Sequence, residues 1–505
     1  MKHSLLRLSI LALLLAINTI VFAEEFEVDG IKYRTTSSST VEVAKSSCSG
    51  DVVIPESVSY NEITYSVTFI ANYAFSNCSE LTSVTIPNSV TAIDYSAFVS
   101  CRSLAFVTIG NSVVTIGEGA FSGCTNLKSV TIGNSVTTIG VKTFENCSNL
   151  TSIEIPNSVT SIGNEAFSGC SGLTSVILGN SVASVGHRAF DGCSGLTSVT
   201  FLCPTAGDWF SQKSSIKEVV LGNQVTSIGN SAFKDFSGLT SVTMGNSVTS
   251  IGSDAFASCS SLTSIEIPNS VTSIRDYTFE NCSSLTSIEI PNSVTSIGIY
   301  AFKGCSGLTS VTIPNSVTSI GSYSFNGCNN LMSVTISDSV ECIDENTFED
   351  CTSLVSVTIP NNVTHIEYAA FRGCNSLVSV TLGKGLNSIC SRIPAFEDCN
   401  NLISVTSLNP TPPLRTPSFG YWYPIPNYYR ATLYVPNGCK EIYSLSDFWH
   451  LFNEIIEIDD ETSINTIESD DRSNLPIYNL TGTKVDDNSL AKGIYIKNGK
   501  KVIIK

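Results

Sequence analysis

Apolar and polar positions alternate along this chain in a pattern that returns at a fixed interval. In the stretch from Leu81, the residues Leu81, Val84, Ile86, Val90 and Ile93 are apolar, and those between them are mostly Thr, Ser, Asn and Pro. The Val-x-Ile part has the period of two that turns alternate side chains to one side of a strand. Pro87-Asn88 ends that strand and turns a corner, as Gly-Asn does at the same phase elsewhere. Val90 and Ile93 start a second inward-facing edge. Ala97-Phe98 is expected to open a short helical or 3-10 turn with Phe at the centre, and Cys101 closes the unit.

The unit recurs. Phe stands at 75, 98, 121, 144, 167 and 190, then at 233, 256, 279, 302, 325, 348 and 371, always 23 residues apart within a run, and once more at 396. The interval from Phe190 to Phe233 is 43, so one unit is short by three residues. From Leu81 to Leu402, with Ile216 as one member, there are 15 such starts. Self-similarity at this period means stacked coils. A single coil buries too little apolar surface to offset the entropy of ordering its backbone, so each must lean on its neighbours. The expected fold is a β-rich repeat solenoid with short helical or 3-10 turns and about 15 coils. The coils should rise about 4.8 Å each, the spacing of adjacent strands. Phe98, Phe121, Phe144, Phe256, Phe279 and Phe302 then form one buried column, and Cys101, Cys124, Cys147, Cys282 and Cys305 another. Gly follows the second Ile in many coils, but Asp94, Arg275, Asp344 and Glu367 share its phase, so that corner needs no left-handed backbone.

The ends depart from the repeat, as the ends of an open stack must. Lys2, His3 and Arg7 precede an apolar run from Leu8 to Ile20, so residues 1–23 read as a signal peptide. Residues 24–67 read as an N-terminal β cap opening with a hairpin around Asp29-Gly30. Residues 68–406 are the solenoid proper. Residues 407–458 read as a C-terminal cap, with a strand at 431–436 and a short helix capped by Asn437 and reaching toward Trp449. Residues 459–473 are polar and acidic, a linker. Residues 474–505 form a small β module whose Asn498-Gly499 turn joins two short strands. The short coil at 196–215 replaces the usual Ala-Phe with Asp208-Trp209-Phe210. Trp209 is there either as a binding insert or, like Phe210, as a substitute for the missing core Phe.

Composition narrows the function. Of 505 residues only 14% are charged, 42% are hydrophobic and the net charge is −17. That sign repels phosphate backbones, so no nucleic-acid partner is expected. Beyond the first 23 residues no stretch is long and apolar enough for a transmembrane helix. Of four His residues, His187, His365 and His450 lie far apart in sequence, so no metal site or His-based catalytic centre is expected. No phosphate-cradling loop, nucleophile elbow or CxxC is present, and no cofactor is expected. Glu266 and Glu289 occupy one outward strand phase on adjacent coils. They are an acid/base pair, a cation site or ordinary surface substitutions of Thr. Thirteen of the 18 Cys follow a Phe by three residues, and Phe236 takes that phase in one coil. Secretion favours disulfides, yet parallel side chains in a ladder suit disulfide geometry poorly, so a column of buried free thiols is expected. Outward Ser and Thr form further rows, Ser83, Ser129 and Ser152 in one and Thr85, Thr108 and Thr131 in another. Tyr421, Trp422, Tyr423, Tyr428 and Tyr429 make the densest aromatic patch, either a ligand-stacking surface or the seal on the C-terminal end of the core.

The consensus I-P-x-x-V-x-x-I-x-x-x-A-F-x-x-C over residues 68–406 closely resembles the BspA-like leucine-rich repeats of bacterial surface antigens, and Glu27–Ile31 and Ala431–Pro436 resemble that family's flanks. The resemblance implies a leucine-rich-repeat solenoid exposed at a cell surface and engaged in adhesion to host matrix proteins, host cells or neighbouring bacteria, without catalysis. Ile477–Gly482 and Lys492–Ile496 followed by Asn498-Gly499-Lys500 are similar to type IX secretion sorting domains, which implies delivery to the exterior of the outer membrane. The expected function is a secreted or surface-bound, monomeric, non-enzymatic binding protein with a protein partner. A glycan-capture protein is the alternative.

Overall fold

The structure, a computed structural model, describes residues 23–390, 394–414, 430–446 and 449–458, and the backbone of short strands between 465 and 504. The chain is a β-solenoid of about 17 turns. It divides into two compact units, Met1–Val225 and Thr226–Lys505.

In the first unit, Glu25–Val28 and Ile31–Thr35 pair antiparallel across Asp29-Gly30, whose backbones sit at φ 50° and 78°. Ile31–Thr35 passes the pairing to Thr40–Val43, and there the sheet turns parallel. One ladder then climbs coil by coil through Ile63–Ile70, Ala92–Ile93, Thr115–Ile116, Thr138–Ile139, Ser161–Ile162 and Ser184–Val185. The Leu-x-x-Val-x-Ile segments build the other edge in two sheets. Gly50–Val53 to Ser129–Thr131 form one, and the second begins at Ser152–Glu154.

The second unit repeats this plan. Short strands such as Ser273–Ile274, Ser296–Ile297 and Ser319–Ile320 stack in register. On the other edge Ser356–Thr358, Ser379–Leu382 and Ser404–Ser407 continue into Thr432–Pro436 and Glu454–Ile458, all parallel. Thr432–Pro436 and Glu454–Ile458 thus extend the parallel edge beyond the last repeat, and the count of about 17 turns lies close to the 15 repeat starts. The short helix Lys440–Ser444 has Cys439, not Asn437, at its N-cap position, and no side chain caps it. Its Tyr443 is buried, donates its hydroxyl to the Asn409 carbonyl at 2.9 Å, and meets Trp449 edge-on. Gly493–Lys497 and Lys500–Ile504 pair antiparallel, with Lys497 opposite Lys500.

The segment around each core Phe is not helical. It is a chain of tight turns. Ala97 N–H bonds the Asp94 carbonyl and Cys101 N–H the Phe98 carbonyl, with Ser96 and Ser100 at φ 50° and 60°. Between these bonds, Phe98 N–H reaches Ala120 O at 2.7 Å and Ser100 N–H reaches Ser122 O at 2.8 Å in the next coil. A helix would spend every N–H within its own coil. Positive φ at every fourth residue flips alternate peptides outward, so half of these donors bind the neighbour instead. The glycines after Ile are not the positive-φ residues. At Gly117 a Cβ would lie 2.8 Å from the Asp94 carbonyl carbon, so glycine serves close coil-to-coil approach there.

The Phe column is the core. In the first unit Phe75, Phe98, Phe121, Phe144, Phe167 and Phe190 stack at 4.9–5.4 Å between ring centroids, with planes within 14°. In the second, Phe256 to Phe396 stack at 5.1–5.6 Å. All are buried.

Candidate functional site

The Cys column follows directly from the turns. From Cys101 onward each column thiol donates to the carbonyl of the Phe in the preceding coil: Cys101 to Phe75 at 3.0 Å, Cys124 to Phe98 at 3.2 Å, Cys147 to Phe121 at 3.3 Å, Cys282 to Phe256 and Cys305 to Phe279 both at 3.1 Å. That carbonyl already accepts the N–H of the Cys in its own coil, as Phe98 O does from Cys101. The thiol therefore fills the second lone pair of a buried oxygen while remaining small and apolar. All 18 cysteines are free thiols. Burial pushes Cys282 and Cys328 up to about 12, and raises Cys305 well above the ordinary thiol range, where its neighbours Cys282 and Cys328 add to the effect. Such thiols stay protonated at neutral pH and are poor nucleophiles.

Outside the core, the consensus polar residues bond the coil beneath. The Asn at the corner accepts the N–H of its counterpart: Asn88 Oδ1 from Asn111 N–H at 2.7 Å and Asn157 Oδ1 from Asn180 N–H at 2.9 Å. Thr hydroxyls donate to the preceding coil's carbonyls, Thr174 to Thr151 at 2.9 Å and Thr318 to Thr295 at 3.3 Å. The outward rows run in register, with Ser152 beside Ser175, Ser175 beside Ser198 and Thr85 beside Thr108. The Ser row is interrupted by Phe106, which is exposed beside Ser83.

Glu266 and Glu289 are exposed on adjacent coils, in segments 263–267 and 286–290 that carry the strand pattern but join no ladder among the described residues. Ile265, Ile267, Ile288 and Ile290 beside them remain buried. In the short coil Phe210 is buried and stacks on Phe190 at 4.8 Å, so it takes the place of the missing core Phe. Trp209 is half-buried and tilts against Phe201 at 5.8 Å. Tyr421, Trp422, Tyr423, Tyr428 and Tyr429 lie outside the described residues. His187, His365 and His450 are exposed, and no group of three His, Cys, Asp or Glu able to hold a metal occurs among the described residues. A groove of about 530 Å³ opens where the first unit's strand ladder is interrupted, lined by Val130, Asn134, Glu154, Pro156 and Leu202 among others.

Two surface features escaped the reading by sequence. Tyr277, Tyr300 and Tyr323 stack at 4.9 and 4.7 Å, with Lys303 Nζ 4.8 Å from the Tyr300 centroid. The second is a change of residue type down one column of the last coils, from Thr to Met332, Val355, Val378 and Ile403. Both are visible once residues of equal phase are read across coils and not along them.

The repeat geometry agrees with a comparison of sequences. The profile of the family described as "BspA type Leucine rich repeat region" matches in six copies, spanning residues 55–170, 137–209, 205–331 and 295–421. The chain belongs to the BspA-type leucine-rich repeat family. Among solved structures it is similar to a leucine-rich repeat protein from Bacteroides ovatus, at 32% identity over 75% of this chain and 94% of that one, with a TM-score of 0.48. It is also similar to a leucine rich cell surface protein from Faecalibacterium prausnitzii, at 26% identity over 76% and 95% of the two chains and a TM-score of 0.30. The pneumococcal vaccine antigen PcpA matches at 18% identity over 86% and 99%, with a TM-score of 0.30. A comparison with curated proteins finds no match. Leucine-rich repeat proteins are in general binding scaffolds, and the fold points to protein–protein interaction. No helix among the described residues is long and apolar enough to cross a membrane.

Proposed function

We propose that this BspA-type repeat protein is a non-catalytic adhesin or interaction scaffold, secreted and held at the bacterial cell surface, with a protein of the host matrix or of a neighbouring cell as partner. The observation that carries the reading is the outward strand face. Rows of Ser and Thr with few charges are held in register by coil-to-coil pairing, as Ser152, Ser175 and Ser198 are. A surface of equivalent sites at a fixed pitch suits many weak contacts that add up, because engagement of one raises the effective concentration at the next. Family membership supports the same reading, as does the basic, then apolar start of the chain. The exposed carboxylates Glu266 and Glu289 serve here as surface residues of that face, and Trp209 as packing for Phe201.

The chain from Glu24 onward, immobilised and exposed to extracts of host matrix and of neighbouring bacteria, should retain a protein saturably. Protease treatment of the extract should abolish retention and deglycosylation should not. Retention lost on deglycosylation would favour glycan capture, and no retention from either extract would refute a binding role.

A further inference from the structure

Except at Ala105, which is buried, the residue after the Leu of each coil is exposed or half-buried on the outer face, and the coils serve as one another's controls. From Thr82 to Thr309 this position is Thr in eight coils, with Ala105, Lys128 and Lys217 as the exceptions. In the next four coils it is Met332, Val355, Val378 and Ile403. These are consecutive neighbours: Val355 N–H bonds Met332 O at 3.2 Å, Val378 N–H bonds Val355 O at 2.8 Å, and Ile403 N–H bonds Val378 O at 2.9 Å. Met332 is 52% exposed, Val355 44% and Ile403 56%, with Val378 half-buried. In several of the other coils the Thr at this position donates to a carbonyl of the coil beneath, as Thr174 does to Thr151 O at 2.9 Å and Thr286 to Thr263 O at 3.2 Å. The four apolar replacements give up that bond and bury little in exchange, so stability does not account for them.

We propose that this column is a docking ridge for an amphipathic helix of a partner protein, one whose apolar stripe is edged by uncharged residues. The proposal rests on the binding role above and specifies its partner chemistry. Three observations choose the occupant. First, the ridge is bordered by Ser333, Ser356, Ser379 and Ser404 on one side and by Asn or Ser on the other, with no charge at either flank. A partner with charged flanks would lose solvation there and gain no ion pair. Second, four half-exposed side chains offer on the order of 300 Å² of apolar surface, a small patch. That is far below the roughly 800 Å² per partner of a stable dimer, so a second copy of this chain is not the fit, whereas one secondary element is. Third, the coils repeat at about 4.8 Å. A helix lying along the ridge brings an apolar residue to it every 3.5 residues or so, about 5.3 Å. A strand along the same line repeats every 6.6–6.8 Å or so and loses register by the third contact. Three turns of helix therefore cover the ridge.

The test uses the full chain and a variant carrying Met332→Thr, Val355→Thr, Val378→Thr and Ile403→Thr, which restores the residue most other coils carry and so keeps the fold. The probe is a fluorescent, end-blocked 15-residue peptide with Leu at helical spacing and Gln and Ala elsewhere. A second peptide places the same Leu at alternate positions. The helical peptide should bind the full chain by anisotropy and gain helicity by circular dichroism, and the variant should bind it at least tenfold more weakly with an unchanged melting profile. Equal binding by chain and variant, no binding by the chain, or preference for the alternating peptide overturns the proposal. Self-association of the chain in sedimentation that the variant lacks would show the ridge to be a dimer contact and overturn it as well. Matrix capture that survives in the variant would leave the broader binding role standing while the peptide result decides the ridge.

Discussion

Truncating one ring of the Phe column puts the whole architecture at risk in a measurable way. Phe302 is fully buried between Phe279 at 5.4 Å and Phe325 at 5.2 Å, each within 11° of parallel. In Phe302→Ala the void cannot close by letting coils 279 and 325 approach. Their separation is set by backbone bonds on either side of the ring, Phe302 N–H to Ser324 O at 2.7 Å and Phe279 N–H to Ala301 O at 2.8 Å. With collapse blocked, the cost should lie in the range for buried aromatic truncations, about 3–5 kcal/mol. Each lost stack accounts for about 0.5–1.5 kcal/mol of this, and should reappear as coupling in a Phe302/Phe325 double-mutant cycle. Urea unfolding by circular dichroism gives the global value. Hydrogen exchange of amides 285–330 is needed beside it, because repeat arrays can open locally. Thr309→Ala, at an exposed position, should stay within about 0.5 kcal/mol. A loss below about 1 kcal/mol for Phe302→Ala would refute the idea that the rings hold the coils together.

The thiol column predicts alkaline instability. Cys282 and Cys328 ionise near 9.0 when unfolded and at about 12 when folded, so their contribution is whole below pH 9 and is lost as pH rises from 9 toward 12. Each thiol should steepen the fall by up to about 1.4 kcal/mol per pH unit. Urea midpoints at pH 8 and 10.5 measure it, and a slope unaltered by Cys282→Ala would contradict the assignment. The column thiols should also resist alkylation in the native chain yet react in the unfolded, unreduced one; few reactive thiols after unfolding would mean disulfides. Phe210→Ala should cost about 3–5 kcal/mol and Trp209→Ala clearly less, since only Phe210 joins the Phe column; the reverse order would show that the indole fills the short coil. Deletion of residues 474–505 should shift the protein from the cell surface to the periplasm in fractionation if that module directs sorting, and unchanged surface display would rule sorting out.

Much of this was legible in one dimension. A Phe every 23 residues, from Phe75 to Phe190 and again from Phe233 to Phe371, determines a stacked core, because only neighbouring coils can cover it. The period-two run Val84-x-Ile86 determines which side chains face inward. The tertiary structure decided what depends on neighbours in space. The sequence placed Cys101 near Phe98, but its thiol bonds the carbonyl of Phe75, a coil away. Asn88 reads as a corner residue, yet its amide oxygen receives the backbone of Asn111. The turns around Phe98 resemble helix in sequence, but their alternate N–H groups leave the coil for the next one. Whether Trp209 or Phe210 enters the core, and whether Thr432–Pro436 and Glu454–Ile458 extend the parallel edge, were likewise settled between coils. Local propensity acts within a few residues, whereas the register and pitch of the stack come from hydrogen bonds 20 or more residues apart, and no single coil encodes them.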